Sequence, residues 1–134
     1  MKKLLTVVAL AALTGCASQP MLATEGSAVP QHRVIKQTIG PGIISVSRDV
    51  QGGGMACAHA LLLDGELVAE IRNGERININ TNYGEHDVGI KVPMICGNDN
   101  SELTIIVSPD KPRQLRIKMN GSGDLELVSA TQRN

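Results

Sequence analysis

From residue 42 onward, isoleucine, valine and leucine recur at every second position in short runs, and that period constrains the fold more than any other feature of the chain. Alternation places one set of side chains on each face of an extended strand, whereas a helix needs a period near 3.6. GIISVSR (42–48) alternates, and ACAHALLLDG (56–65) supplies a second run. LVAEI (67–71) sets Leu67, Ala69 and Ile71 against Val68 and Glu70. RININ (76–80) sets Ile77 and Ile79 against Arg76, Asn78 and Asn80. HDVGIKV, ELTIIV, QLRIKM and DLELV repeat the pattern through Val88, Ile90 and Val92, then Leu103, Ile105 and Val107, then Leu115, Ile117 and Met119, then Leu125 and Leu127. Asp64-Gly65 is the strongest turn signal, since the pair supplies the positive φ angles of a two-residue hairpin, and Asn73-Gly74 repeats it. Tyr83-Gly84-Glu85, Ser108-Pro109-Asp110 and Gly121-Ser122-Gly123 mark further corners. Seven or eight short strands at spacings of about ten residues predict an all-β fold, a small antiparallel β-sandwich or barrel, with no helix after the N-terminal segment.

The N-terminus follows different rules. Lys2 and Lys3 precede an apolar run, LLTVVALAAL, about half the length that a bilayer-spanning helix requires. That is the layout of a secretory signal. Its last residues, Leu13-Thr14-Gly15-Cys16, resemble the bacterial lipobox. The resemblance implies cleavage before Cys16 and attachment of diacylglycerol to its sulfur, with further acylation giving stable membrane anchoring. Ala17 after the cysteine, by resemblance to enterobacterial lipoproteins, points to the outer membrane, with the domain facing the periplasm. Residues 1–15 are therefore read as signal peptide, 16–37 as lipidated cysteine plus flexible linker, and 38–134 as the sandwich domain. The linker reading rests on ASQPMLATEGSAVPQH, which mixes small and polar residues without a sustained period.

Removal of the signal leaves 11 basic against 13 acidic residues, a formal charge of −2 and no footprint for nucleic acid. The chain has no Trp, no Phe and one Tyr, so stacking platforms for bases or sugars are not expected. The core is expected to be aliphatic. Cys57 and Cys96 remain after lipidation of Cys16, and an exported domain matures in an oxidising compartment. Each shares the parity of an inward face, provided the strand runs on past Pro93, so a disulfide is the leading reading; two free structural thiols and a Cys57–His59 pairing stay open. A nucleophilic dyad would also need an orienting group and an oxyanion site, and neither is legible. His32, His59 and His86 lack zinc-site spacing, and Gly52-Gly53-Gly54 is followed by no Lys-Ser/Thr, so no metal and no cofactor are expected.

Residues 61–92, LLLDGELVAEIRNGERININTNYGEHDVGIKV, resemble the hairpin pattern of PEGA-type domains and of related domains in bacterial lipoproteins. The Pro-Glu-Gly-Ala tetrapeptide itself is absent, with Asn73-Gly74-Glu75-Arg76 near the corresponding turn. The resemblance implies a small β-sandwich, Ig-like or PEGA-like, that acts as a non-enzymatic envelope module. The expected function is binding or structural, with an envelope protein or glycan as partner and the membrane engaged through the lipid. An alternative is a small periplasmic inhibitor or exclusion lipoprotein that inserts loop 51–56 or 82–86 into a hydrolase or transport apparatus. Tyr83 is the candidate exposed anchor, although a buried corner tyrosine is equally consistent with its position. Lys111, Arg113, Arg116 and Lys118 form the one cationic cluster: solvated residues that discourage strand pairing, or a docking patch for an anionic partner.

Overall fold

The computed structural model describes residues 26–50, 57–96, 100–120 and 124–130. Nine strands follow one another among them: β1 (Ser27–Ala28), β2 (Gly42–Arg48), β3 (His59–Leu63), β4 (Glu66–Ile71), β5 (Glu75–Thr81), β6 (Gly84–Lys91), β7 (Asn100–Val107), β8 (Arg113–Met119) and β9 (Leu125–Ser129). They form a five-stranded sheet in the order β1-β5-β2-β8-β9 and a four-stranded sheet in the order β4-β3-β6-β7. The chain is a β-sandwich, and β2 through β9 fall on the eight alternating runs. Among the described residues, no helix is long and apolar enough to cross a membrane.

Alternation builds the core directly. Ile44, Val46, Ile79, Leu115, Ile117 and Leu127 point inward from the larger sheet, and Leu61, Leu63, Val68, Ile71, Val88, Ile90, Ile105 and Val107 meet them from the smaller one. With only aliphatic side chains available, the layer between the sheets is filled by branched residues, which suit the pleated surface. Fully burying each is worth about 1.5–3 kcal/mol.

The pairing is less uniform than the sequence predicts. β2 is antiparallel to β5 but parallel to β8, with Val46 opposite Leu115, so the larger sheet is mixed rather than antiparallel throughout. Parallel neighbours need a long crossover, and here the chain between β2 and β8 builds β5 and the whole second sheet. Asp64-Gly65 closes the β3–β4 hairpin with φ of 50° and 80°, as its sequence demands. Asn73-Gly74 does not repeat it: only Gly74 has positive φ, and β4 and β5 lie in different sheets, so this is a corner and not a hairpin.

The larger correction concerns the linker. Residues 26–37, assigned by sequence to a tether, form a strap packed on the sandwich. Ser27 and Ala28 pair in parallel with Glu75 and Arg76. A 3-10 turn at Gln31–Arg33 then carries the chain across to β4, where Val34 bridges Ala69 and the amides of Ile35 and Lys36 donate to the carbonyl of Val68. Finally Thr38 Oγ1 accepts from the amide of Asn80, and Gly40 crosses so close to Thr81 that a Cβ there would lie 2.2 Å from its carbonyl carbon. The strap thus covers part of the exposed edge of both sheets on one side of the sandwich. The carboxylate of Glu75 locks it by gripping the Arg33 guanidinium with both oxygens, while Nη1 also donates to the carbonyl of Glu70 at 3.3 Å. That fork holds the arginine's proton more tightly than usual, the Glu75 bond outweighing burial.

Candidate functional site

The two ends of the sandwich differ in chemistry. The described chain begins at Gly26, beside the start of β5, and this end also holds Arg48, His59 and the Cys57–Cys96 disulfide. At the other end Gly42 lies opposite Thr81, Gly84 opposite Val107, and Ile44 opposite Arg113, which gathers residues 39–43, 64–65, 81–84 and 106–113 into a tip.

At the first end, Cys57 and Cys96 are joined with Cα atoms 6.5 Å apart, within the normal span of a disulfide. The expected pair is therefore present, although not through an unbroken strand. β6 stops at Lys91, and Cys96 sits on a 3-10 turn beyond Pro93. The bridge consequently ties together the approaches to β3 and from β6, two neighbouring strands, and removes the thiol that a Cys57–His59 dyad would need. Arg48 continues the inward parity of Ile44 and Val46 and is fully buried. Its Nη1 donates to the carbonyl of Cys57 at 2.7 Å and to that of Ile71 at 3.1 Å. Burial lowers its pKa to about 10. His59 is buried nearby, and burial, reinforced by the Arg48 charge, lowers its pKa to about 4, so the ring is neutral. Sequence reasoning missed Arg48, yet its parity within GIISVSR was the signal.

At the tip, His86 Nδ1 lies 2.7 Å from Asp64 Oδ2 and Nε2 lies 2.7 Å from the carbonyl of Asn82, with Thr81 Oγ1 at 3.3 Å. Two acceptors on opposite nitrogens suit the imidazolium, which has two donors. Burial alone would lower the pKa of His86, but the Asp64 bond, the Asn82 carbonyl and the charges of Asp64 and Asp87 outweigh it and raise the value. Burial likewise opposes ionisation of Asp64, and the His86 ring and the Asp87 amide overcome it to hold Asp64 below its usual range. The ring staples the β5–β6 corner to the β3–β4 turn. Tyr83 stands on that corner, 46% exposed, and is no buried corner tyrosine. Ile39 is 88% and Ile106 57% exposed around it. His59 and His86 are at opposite ends, and among the described residues no group of three His, Cys, Asp or Glu is placed to hold a metal.

The four clustered cations separate. Lys111 and Arg113 reach the tip, where Arg113 Nε donates to the carbonyl of Ile106 at 2.6 Å. Arg116 lies on the outer face of the larger sheet, clasped by both oxygens of the buried Asp49, which raises its pKa. Lys118 bonds Glu126 at 3.1 Å on the same face. The structure therefore divides the predicted patch: Lys111 and Arg113 join Tyr83, and Arg116 and Lys118 are spent on intramolecular pairs. Cys16, loop 51–56 and Gly121-Ser122-Gly123 lie outside the described residues. Comparison with protein-family models, curated proteins and solved structures finds no match for the chain.

Proposed function

We propose that the chain is a lipoprotein held at the outer membrane through Cys16, whose β-sandwich serves the periplasmic side as a non-enzymatic binding module. One observation supports this reading: the chain enters at one end of the sandwich, where Val50 and Ile95 are also exposed, while Ile39, Tyr83 and Ile106 stand exposed at the other end together with Lys111 and Arg113. Nine residues lie between Cys16 and Gly26, a span of at most about 35 Å when extended. Anchoring there presents Ile39, Tyr83, Ile106, Lys111 and Arg113 away from the bilayer. Large exposed apolar groups ringed by polar ones are the usual mark of a protein contact. The resemblance of residues 61–92, which hold most of β3 and all of β4 to β6, to PEGA-type envelope domains supports the same role.

The test has two arms. Labelled palmitate should enter the full-length protein and not Cys16→Ser; failure of the wild-type chain to take up label ends the lipoprotein reading. Photo-crosslinking residues placed singly at Ile39, Tyr83 and Lys118 in the native envelope should give a discrete adduct from the first two and none from the third. Equal adducts from all three positions would abolish the tip as binding face. The stapled corner at residues 82–86 favours one variant of this function, in which the rigid loop enters and blocks a periplasmic hydrolase. That variant predicts hydrolase activity rising in cells carrying Tyr83→Ala.

A further inference from the structure

The strap does not lie against β5 along its whole length. It leaves β5 after Val29, whose amide donates to the carbonyl of Arg76, and returns at Thr38, which accepts from the amide of Asn80. Between these points the strap bows out to β4 and leaves a cleft of about 280 Å³. Its floor is Val34, Val68, Ile77 and Ile79, and its rim carries Gln31, Lys36, Gln37, Thr38, Arg76, Asn78 and Asn80. Backbone groups alternate in direction along a strand, so the N–H and C=O of Asn78 point the same way as the carbonyls of Gly74 and Arg76 and the amide of Asn80, which serve the strap. The odd-numbered residues of β5 face β2 instead. Asn78 therefore presents one donor and one acceptor, in strand register, to the cleft.

We propose that this cleft binds a short extended peptide that ends in a free carboxylate. The reasons are chemical. A donor and an acceptor on one residue of a sheet edge match the backbone of an added strand, the basis of β-augmentation. Small aliphatic side chains fit the valine and isoleucine floor, and a cleft just under the usual size of small-molecule sites admits two or three residues. Both charged lining residues, Lys36 and Arg76, are cationic, and none of the described lining residues is acidic. Glu66 pairs with Lys36 from outside the lining, and Arg76 Nε donates to the carbonyl of Gly26 at 3.2 Å, so a carboxylate competes with Glu66 for Lys36 and is attracted by the charge of Arg76.

Amide hydrogen exchange, followed by NMR on the mature full-length protein in detergent micelles, tests the proposal. In the free protein the amide of Asn78 should exchange faster than those of Ile77 and Ile79. Ala-Ala-Ala should slow it about tenfold at saturation, and the C-terminal amide of the same peptide should bind about tenfold more weakly. Arg76→Gln should erase that preference for the acid, and Ala28→Trp, which fills the rim from exposed β1, should abolish binding while the fold's other amides keep their protection. Slow exchange at Asn78 without peptide would mean that the chain closes its own edge and would overturn the proposal. So would equal responses to acetate and to Ala-Ala-Ala, or no response at millimolar peptide.

Discussion

The two ends of this sandwich hold themselves together by opposite means, and their histidines make the contrast plain. At the end where the chain enters, closure is covalent and buried: a disulfide, a fully buried arginine bonded to two carbonyls, and a neutral His59. At the tip, closure is polar and half-exposed, through the His86 ring held between a carboxylate and a carbonyl. One residue type thus titrates in opposite directions within a single small domain, because at one site desolvation dominates and at the other the acceptors do. The lesson is that the end where the chain enters is built for permanence, whereas the tip is ordered by interactions that solvent conditions modulate.

The strongest way to break the comparison is to open the disulfide. Cys57→Ser with Cys96→Ser should cost about 3–4 kcal/mol from the loop it closes across a sequence separation of 39 residues. Denaturant titration of the double variant measures it, and a loss under 1 kcal/mol would mean that the buried polar groups suffice alone. Next in size is the strap latch. Arg33→Ala removes a two-pronged bond and leaves the largely buried Glu75 without its partner, for an expected loss of about 2 kcal/mol. The same variant should expose the amides of Val29 and Ile35 to exchange before the rest of the domain.

Smaller effects come from the histidines, and their signs oppose. His59 has a folded pKa near 4, so its neutral state contributes stability above the unfolded value of about 6.5, lost as pH falls from there toward 4. His86 has a raised folded pKa, so its contribution is complete below about 6.5 and fades as pH rises through the folded value. Asp64, held low, limits the staple on the acid side, where the bond fades as pH falls below about 3.9. Since Asp64 is half-exposed, the His86 contribution is at most about 1 kcal/mol. His59 titrates alike in both proteins, so the stability advantage of the wild type over His86→Gln should shrink as pH rises from about 6 to 8; an advantage that does not change with pH would assign the staple no role in it. Least of all, Ile39→Ser and Tyr83→Ala should leave stability within about 0.5 kcal/mol, because exposed tip residues give up little packing.

How much of this could be read beforehand follows from how local each signal is. Period-2 runs and the Asp64-Gly65 turn are set by neighbours in sequence, and strands β2 to β9 stand where those signals place them. The disulfide follows from compartment chemistry and parity, even though the path past Pro93 is a 3-10 turn. The strap was illegible for a definite reason. Each of its contacts is made by an isolated residue, Val29, Arg33, Val34 or Thr38, to strands that lie 35 to 47 positions away, so no window of sequence carries a period. The parallel pairing of β2 with β8 is equally non-local. The His86 staple is illegible for the same reason, since nothing in HDVGIKV names Asp64, 22 positions earlier, as its partner.

The direction of β1 has a mechanical consequence. Were the chain held through Cys16 as proposed, a pull on a bound partner would be felt as tension at Gly26. Because β1 runs parallel to β5 and starts at the end where the described chain begins, that tension lies along the strand axis. The bonds from Ser27 to Gly74 and from Val29 to Arg76 are then loaded in shear together instead of being unzipped in turn, and the Arg33 fork lies behind them in the path of the force.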